Sequence, residues 1–164
     1  MKLMAIDGNS ILNRAFYGVR LLSNKDGVFT NAVFGFLNIF LKLLKEHKPD
    51  AVAVAFDVSR TTFRHEQYSE YKANRHGMPE ELRMQLPLIK EILTALGYAV
   101  VGCEGFEGDD ILGTLAAARE KNGGECVVVS GDRDCLQLVT DSVSVELVRT
   151  KDNTLYTPEV FLEE

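Results

Sequence analysis

The sequence predicts an α/β fold, a three-layer sandwich around a mainly parallel central sheet, and three observations carry that expectation. Short apolar runs rich in β-branched residues recur at Leu3-Met4-Ala5-Ile6, Ala51-Val52-Ala53-Val54-Ala55-Phe56 and Cys126-Val127-Val128-Val129. Helical periodicity fills the intervals, as right-handed crossovers between parallel strands require. Carboxylates follow each run: Asp7, Asp57, and, past Ser130-Gly131, Asp132 and Asp134.

Taken in order, the first run ends at Asp7-Gly8-Asn9-Ser10, and Ile11, Leu12, Ala15, Phe16, Val19 and Leu22 then follow helical spacing. Asn9 or Ser10 is expected to cap this helix, with Arg14 one turn inside it and Asp7 either a turn residue or part of a site. After the loop Ser23–Gly27, Thr30 or Asn31 is expected to cap a long amphipathic helix. Its core face would carry Val33, Leu37, Phe40, Leu41 and Leu44, widened by Phe34 and Phe36, and Lys45, Lys48 and Pro49 would end it.

The second run is continuously apolar, as suits a strand covered on both faces. From Ser59 to Pro79 no period persists, and Arg60, Arg64, His65, Lys72, Arg75 and His76 are interleaved with Phe63, Tyr68 and Tyr71. Such a stretch inside a compact domain is a working loop or a disordered one. Cations for phosphates and rings for bases suit a nucleic-acid strand, while Glu66 and Glu70 equally suit a solvated loop, and composition alone does not separate the two.

Helical spacing returns from Glu80 to Leu96, where Pro87 is expected to kink or split the helix. Tyr98–Val101 reads as a third strand. The segment Gly105-Phe106-Glu107-Gly108-Asp109-Asp110 then opens a helix running to about Asn122, with Gly123-Gly124 as its stop. Acids at a helix start are ordinary caps. The fourth strand, Cys126–Val129, leads to a short helix carrying Leu136, Leu138 and Val139, Val143–Val148 reads as a fifth strand, and Thr154–Tyr156 turns back along it. Thr157-Pro158-Glu159 starts a last helix within which the sequence ends at Glu164, an ending expected of a piece of something longer.

The composition, 46% hydrophobic and 26% charged over 164 residues, fits one domain, 1–164, with a substantial core. Neither a membrane-spanning run nor a signal peptide is evident, so the expected location is the cytoplasm, without a membrane partner. Three cysteines, Cys103, Cys126 and Cys135, lack the pairing of a disulfide framework or a structural zinc site. With 24 acidic and 18 basic residues the net charge is −6, which by itself disfavours nucleic acid. Seven of those acids are Asp7, Asp57, Glu107, Asp109, Asp110, Asp132 and Asp134, and without them the remainder is nearly neutral.

In open parallel sheets, ligands bind outside the carboxyl ends of the strands, which is where all seven would gather. Like charges in one cleft oppose one another's ionisation, and hard divalent cations relieve the cost. An all-oxygen set points to Mg²⁺ or Mn²⁺, and two such ions would serve phosphodiester hydrolysis.

As a set, Ile6-Asp7-Gly8-Asn9-Ser10 with Arg14-Ala15-Phe16-Tyr17, Phe56-Asp57 with Arg60-Thr61-Thr62-Phe63-Arg64, Tyr71-Lys72-Ala73-Asn74-Arg75, Glu107-Gly108-Asp109-Asp110, and Gly131-Asp132-Arg133-Asp134 with Gln137-Leu138-Val139 resemble the 5′ nuclease (flap endonuclease) family. The likeness is greatest to the amino-terminal 5′→3′ exonuclease domains of bacterial polymerases. It implies a PIN-like, resolvase-like fold, with the seven carboxylates as the metal ligands. It also implies an arch-like segment at about 59–90, in which Lys72 and Arg75 act catalytically on the scissile phosphate and the 5′ strand and Tyr71 stacks on a base. Arg14, Arg60 and Arg64 would also contact DNA. The implied partner is DNA with a 5′ end or 5′ flap, with an RNA primer–DNA hybrid as a further substrate, and the implied state is a monomer joined to a polymerase. The family's helix–three-turn–helix element is absent from these residues, so metal binding with weak cleavage is expected of the chain alone. A non-catalytic module binding branched DNA or a protein is the alternative, and a receiver-like phosphoryl acceptor a remoter one.

Overall fold

The computed structural model describes residues 1–57 and 78–163. A six-stranded sheet runs through the middle, built from β1 (Lys2–Asp7), β2 (Ala51–Ala55), β3 (Ala99–Val101), β4 (Glu125–Ser130), β5 (Val143–Leu147) and β6 (Thr154–Tyr156) in the order β3-β2-β1-β4-β5-β6. All neighbours are parallel except β5 and β6. The order reverses between β1 and β4, the point where open α/β sheets leave a crevice.

Alternation along the strands divides the core into two layers. Met4, Ile6, Val54, Val127 and Val129 face α1 (Gly8–Gly18), α2 (Asn31–His47) and α4 (Gln85–Ala95). Ala5, Ala55, Val128, Val145 and Leu147 face α5 (Gly108–Lys121) and the 3₁₀ helix Arg133–Leu138. The short helices α3 (Glu80–Arg83) and α6 (Pro158–Glu163) complete the chain. No helix among the described residues is long and apolar enough to cross a membrane.

The face expected of α2 is rotated in the structure. Phe34 and Leu41 are 54% and 60% exposed, while Ala32, Val33, Phe36, Phe40 and Leu43 are buried. Gly35 sets this rotation: a Cβ there would stand 2.9 Å from Ala15 Cβ and 3.0 Å from Val19 Cγ2, so α1 and α2 touch backbone to side chain at this point.

Thr30 holds the N-cap position of α2 as expected, but it makes no side-chain cap bond. Gln85, from the other end of the layer, accepts from the first-turn N–H groups of Ala32 (2.7 Å) and Val33 (3.1 Å). Its amide donates to Asn31 Oδ1 (2.8 Å) and Glu81 O (2.9 Å), and Asn31 Nδ2 in turn donates to Phe16 O of α1 and to Val19 O just past its end. The break expected near Pro87 falls at Met84, between α3 and α4. Pro87 thus sits in the first turn of α4, where its missing N–H costs no helical bond.

Gly8, the first residue of α1, lies directly over the end of β2. A Cβ there would stand 2.6 Å from two Phe56 ring atoms and 2.8 Å from Ala55 O. Since the carbonyl cannot give way, Gly8→Ala is expected to cost about 1–3 kcal/mol by overpacking, read as a lowered urea midpoint with an unchanged slope.

Candidate metal centre

The strand ends deliver their carboxylates to one edge. β1 ends at Asp7 and β2 at Ala55, two residues before Asp57. β3 leads through a loop to Glu107 and α5, and β4 ends at Ser130, two residues before Asp132.

Asp7 is itself the N-cap of α1, its Oδ1 accepting from Ser10 N at 3.2 Å. The two residues expected to cap that helix are used across the sheet instead. Asn9 Oδ1 accepts from Asp57 N at 2.7 Å, and Ser10 Oγ accepts from Gly131 N at 2.8 Å. Both fix the loops that leave β2 and β4. Ser130, absent from the sequence-predicted set, donates its hydroxyl to Asp7 Oδ2 at 2.9 Å and accepts from Asp132 N at 3.1 Å. A small polar residue ending a buried strand was the available signal for it.

Asp57 and α5 meet through Gly108, whose N–H donates to Asp57 Oδ1 at 2.5 Å. The point where a Gly108 Cβ would stand is 3.5 Å from Asp57 Oδ1 and 3.8 Å from Asp7 Oδ1. Asp7 and Asp57 therefore converge on the first turn of α5. The cap there is Glu107, in a reciprocal box with Asp110 that includes Glu107 N–H donating to Asp110 Oδ2 at 3.0 Å. Donor oxygens of Glu107, Asp109 and Asp110 lie within 4.8 Å of one another.

Charge accumulates accordingly. Burial pushes the Asp7 carboxyl up to about 6, with Asp57 and Asp109 raising it further against the lowering hydrogen bonds from Ser130 and Ser10. Cys135 is pushed up to about 12, first by burial and also by Asp7, Asp132 and Asp109 around it, so these three carboxylates share one neighbourhood. Asp132 and Asp134 sit at its exposed rim, where Asp132 Oδ1 caps the 3₁₀ helix by accepting from Asp134 N at 2.9 Å. An all-carboxylate set in which Asp7 is raised by burial and by its acidic neighbours fits hard divalent cations.

Arg14 reaches the same edge. Its Nη1 donates to Thr150 Oγ1 at 3.4 Å, and its buried Nε has no hydrogen-bond partner among the described residues. A Cβ on Gly131 would stand 3.2 Å from that Nε. Arg60, Arg64, Tyr71, Lys72 and Arg75 lie outside the described residues, as does most of the expected arch.

A family profile described as 5′-3′ exonuclease, N-terminal resolvase-like domain, matches residues 2–164. DNA polymerase I of Bacillus subtilis (strain 168) is 48% identical over 160 residues, covering 96% of this chain and 18% of that protein. The chain thus spans under a fifth of the length of this relative. Among solved structures, the T5 5′-exonuclease with divalent zinc ions bound superposes with a TM-score of 0.74 at 21% identity, over 100% of this chain and 60% of that one. A bacteriophage T5 flap endonuclease in a pseudo-enzyme-product complex with DNA and metal ions gives 0.73 at 21% identity, over 99% and 60%. At that identity the likeness establishes the fold.

Proposed function

The chain belongs to the family of 5′-3′ exonuclease N-terminal, resolvase-like domains, and from that membership we propose that it hydrolyses DNA phosphodiesters at 5′ ends and 5′ flaps with two divalent cations, Mg²⁺ or Mn²⁺. The observation that carries this reading is the convergence of Asp7 and Asp57 on the first turn of α5, beside Asp109. Asp7, Asp57, Glu107, Asp109, Asp110, Asp132 and Asp134 hold the cations. Divalent ions bound there supply water at a lowered pKa and neutralise charge on the phosphate oxygens.

The protein's own contribution is placement. Ser10 N–H and Ser130 Oγ orient the two oxygens of Asp7, and Asn9 fixes the backbone of Asp57. Arg14, with a buried N–H to offer, supports the phosphate. Lys72 and Arg75 engage the scissile phosphate and the 5′ strand, Tyr71 stacks on a base, and Arg60 and Arg64 add phosphate contacts. In the full-length protein we place this activity beside a polymerase on one monomeric chain in the cytoplasm, acting in primer removal and repair on DNA flaps and RNA primer–DNA hybrids. The 164-residue chain alone is expected to cut weakly.

The test is release of a labelled 5′ flap from duplex DNA with Mg²⁺ or Mn²⁺. Cleavage is expected to vanish with a chelator and to fall about 10²-fold or more in Asp109→Asn, the scale of losing one preorganised charged group. Flap binding without cleavage by either protein, unweakened in Asp109→Asn, would instead indicate a binding module.

A further inference from the structure

A second group of ligating side chains lies away from the carboxylate edge. Glu46 and His47 in the last turn of α2 and Glu146 on β5 place one donor atom each within 4.8 Å of one another. His47 Nε2 and Glu146 Oε2 are in direct contact, although the two residues are 99 positions apart, and both side chains are more than nine-tenths buried. The backbone of His47 lies beside the start of β1, since Lys2 Nζ donates to His47 O at 3.2 Å. Asp7 is five residues further along β1, about 16 Å at the rise of an extended strand.

We propose that Glu46, His47 and Glu146 form a second cation site, selective for a borderline transition ion such as Zn²⁺ or Co²⁺. The donor set carries the selectivity. One imidazole nitrogen with two carboxylate oxygens suits such ions, whereas Mg²⁺ favours oxygen alone. Three donors around one tetrahedral ion at about 2.1 Å stand about 3.4 Å from one another. Seating the ion needs the direct His47–Glu146 contact to part and Glu46 to close in from within 4.8 Å. Glu46 is exposed, and its pair with Lys42 at 3.8 Å is a surface contact of little strength.

In the metal-free chain His47 Nε2 and Glu146 Oε2 contact each other directly, and a bound ion would take the place of that contact. Access comes from a cleft of ≈ 250 Å³ onto which His47 opens, lined also by Lys2, Ser144 and Leu155. A bound ion would tie the end of α2 to β5, one of the longest-range links in the fold.

The experiment titrates the whole chain with Co²⁺ in excess Mg²⁺, following visible absorption and thermal melting. The expected result is one Co²⁺ per chain with a raised melting temperature. Both effects should disappear in His47→Gln and persist in Asp109→Asn. Outer-sphere partners alone change metal affinity by roughly 10–100-fold, so Glu46→Gln, at an exposed position that leaves folding intact, is expected to weaken Co²⁺ binding about tenfold or more. No Co²⁺ band above the Mg²⁺ background, or undiminished binding in Glu46→Gln, would overturn the proposal.

Discussion

Asp7→Asn is expected to depress metal-dependent cleavage strongly while raising the melting temperature of the cation-free chain. The two effects share one cause. The Asp7 carboxyl titrates near 6 in the folded chain against its ordinary 3.8, chiefly because burial disfavours its charge. A raised carboxyl contributes stability below its unfolded value and loses it as the pH climbs through the folded one. By pH 7, ionised Asp7 therefore costs about 3 kcal/mol. Asparagine removes the charge, but its single amide oxygen cannot accept from both Ser10 N and Ser130 Oγ, so the net gain is about 1–3 kcal/mol. That corresponds to a few degrees or more in a domain of this size. The melting temperature of the unsubstituted chain should fall between pH 4 and pH 7 relative to the variant. Added Mg²⁺ should stabilise the unsubstituted chain alone. Cleavage of flap DNA should drop about 10²–10³-fold in the variant. Equal melting temperatures across this pH range would mean that Asp7 is not charge-strained.

Gln85→Leu is expected to be the most destabilising single substitution among the buried polar residues, at about 3–5 kcal/mol. Leucine fills a similar volume but strands the N–H groups of Ala32 and Val33 and the oxygen of Asn31, all paired with Gln85 in a dry layer. Each such group costs about 1–3 kcal/mol when left unpaired. Gln85→Glu tests the direction of the bonds. A carboxylate would still accept from both N–H groups, yet it could not donate to Asn31 Oδ1 or Glu81 O. Urea denaturation should rank Gln85→Glu as destabilised and Gln85→Leu as more so. A midpoint for Gln85→Leu equal to that of the unsubstituted chain would refute the assignment of Gln85 as the cap of α2.

The contrast between Asp7 and Gln85 shows what could be read from sequence. Asp7, Asp57, Asp109 and Asp132 follow apolar runs or open a helix, and parallel topology places all such positions at one edge, so their convergence was legible without coordinates. The remaining features depend on partners distant in sequence. Gln85 caps a helix that begins 54 residues earlier, and no local pattern marks a cap supplied from outside. Asn9 and Ser10 carried the right chemistry for a helix start, but their side chains serve Asp57 and Gly131. Phe34 and Leu41 fit the helical stripe as well as Phe36 and Leu43 do. The close approach at Gly35 chooses between them, and that depends on α1.

The placement of β1 between β2 and β4 also has a consequence in time. The bond from Ser130 to Asp7 spans 123 residues, and β1 is synthesised well before β4, one of its two neighbours in the sheet. At about 5–20 residues per second on the ribosome, β1 waits roughly 6–25 seconds for β4. Throughout that interval its apolar face and one row of backbone groups lack their native cover, open to wrong pairing with other chains. Asp132 and Asp134, which follow β4, reach the other carboxylates only after this closure, so cations that need the full set bind late in folding. They should slow unfolding and leave the folding rate unchanged.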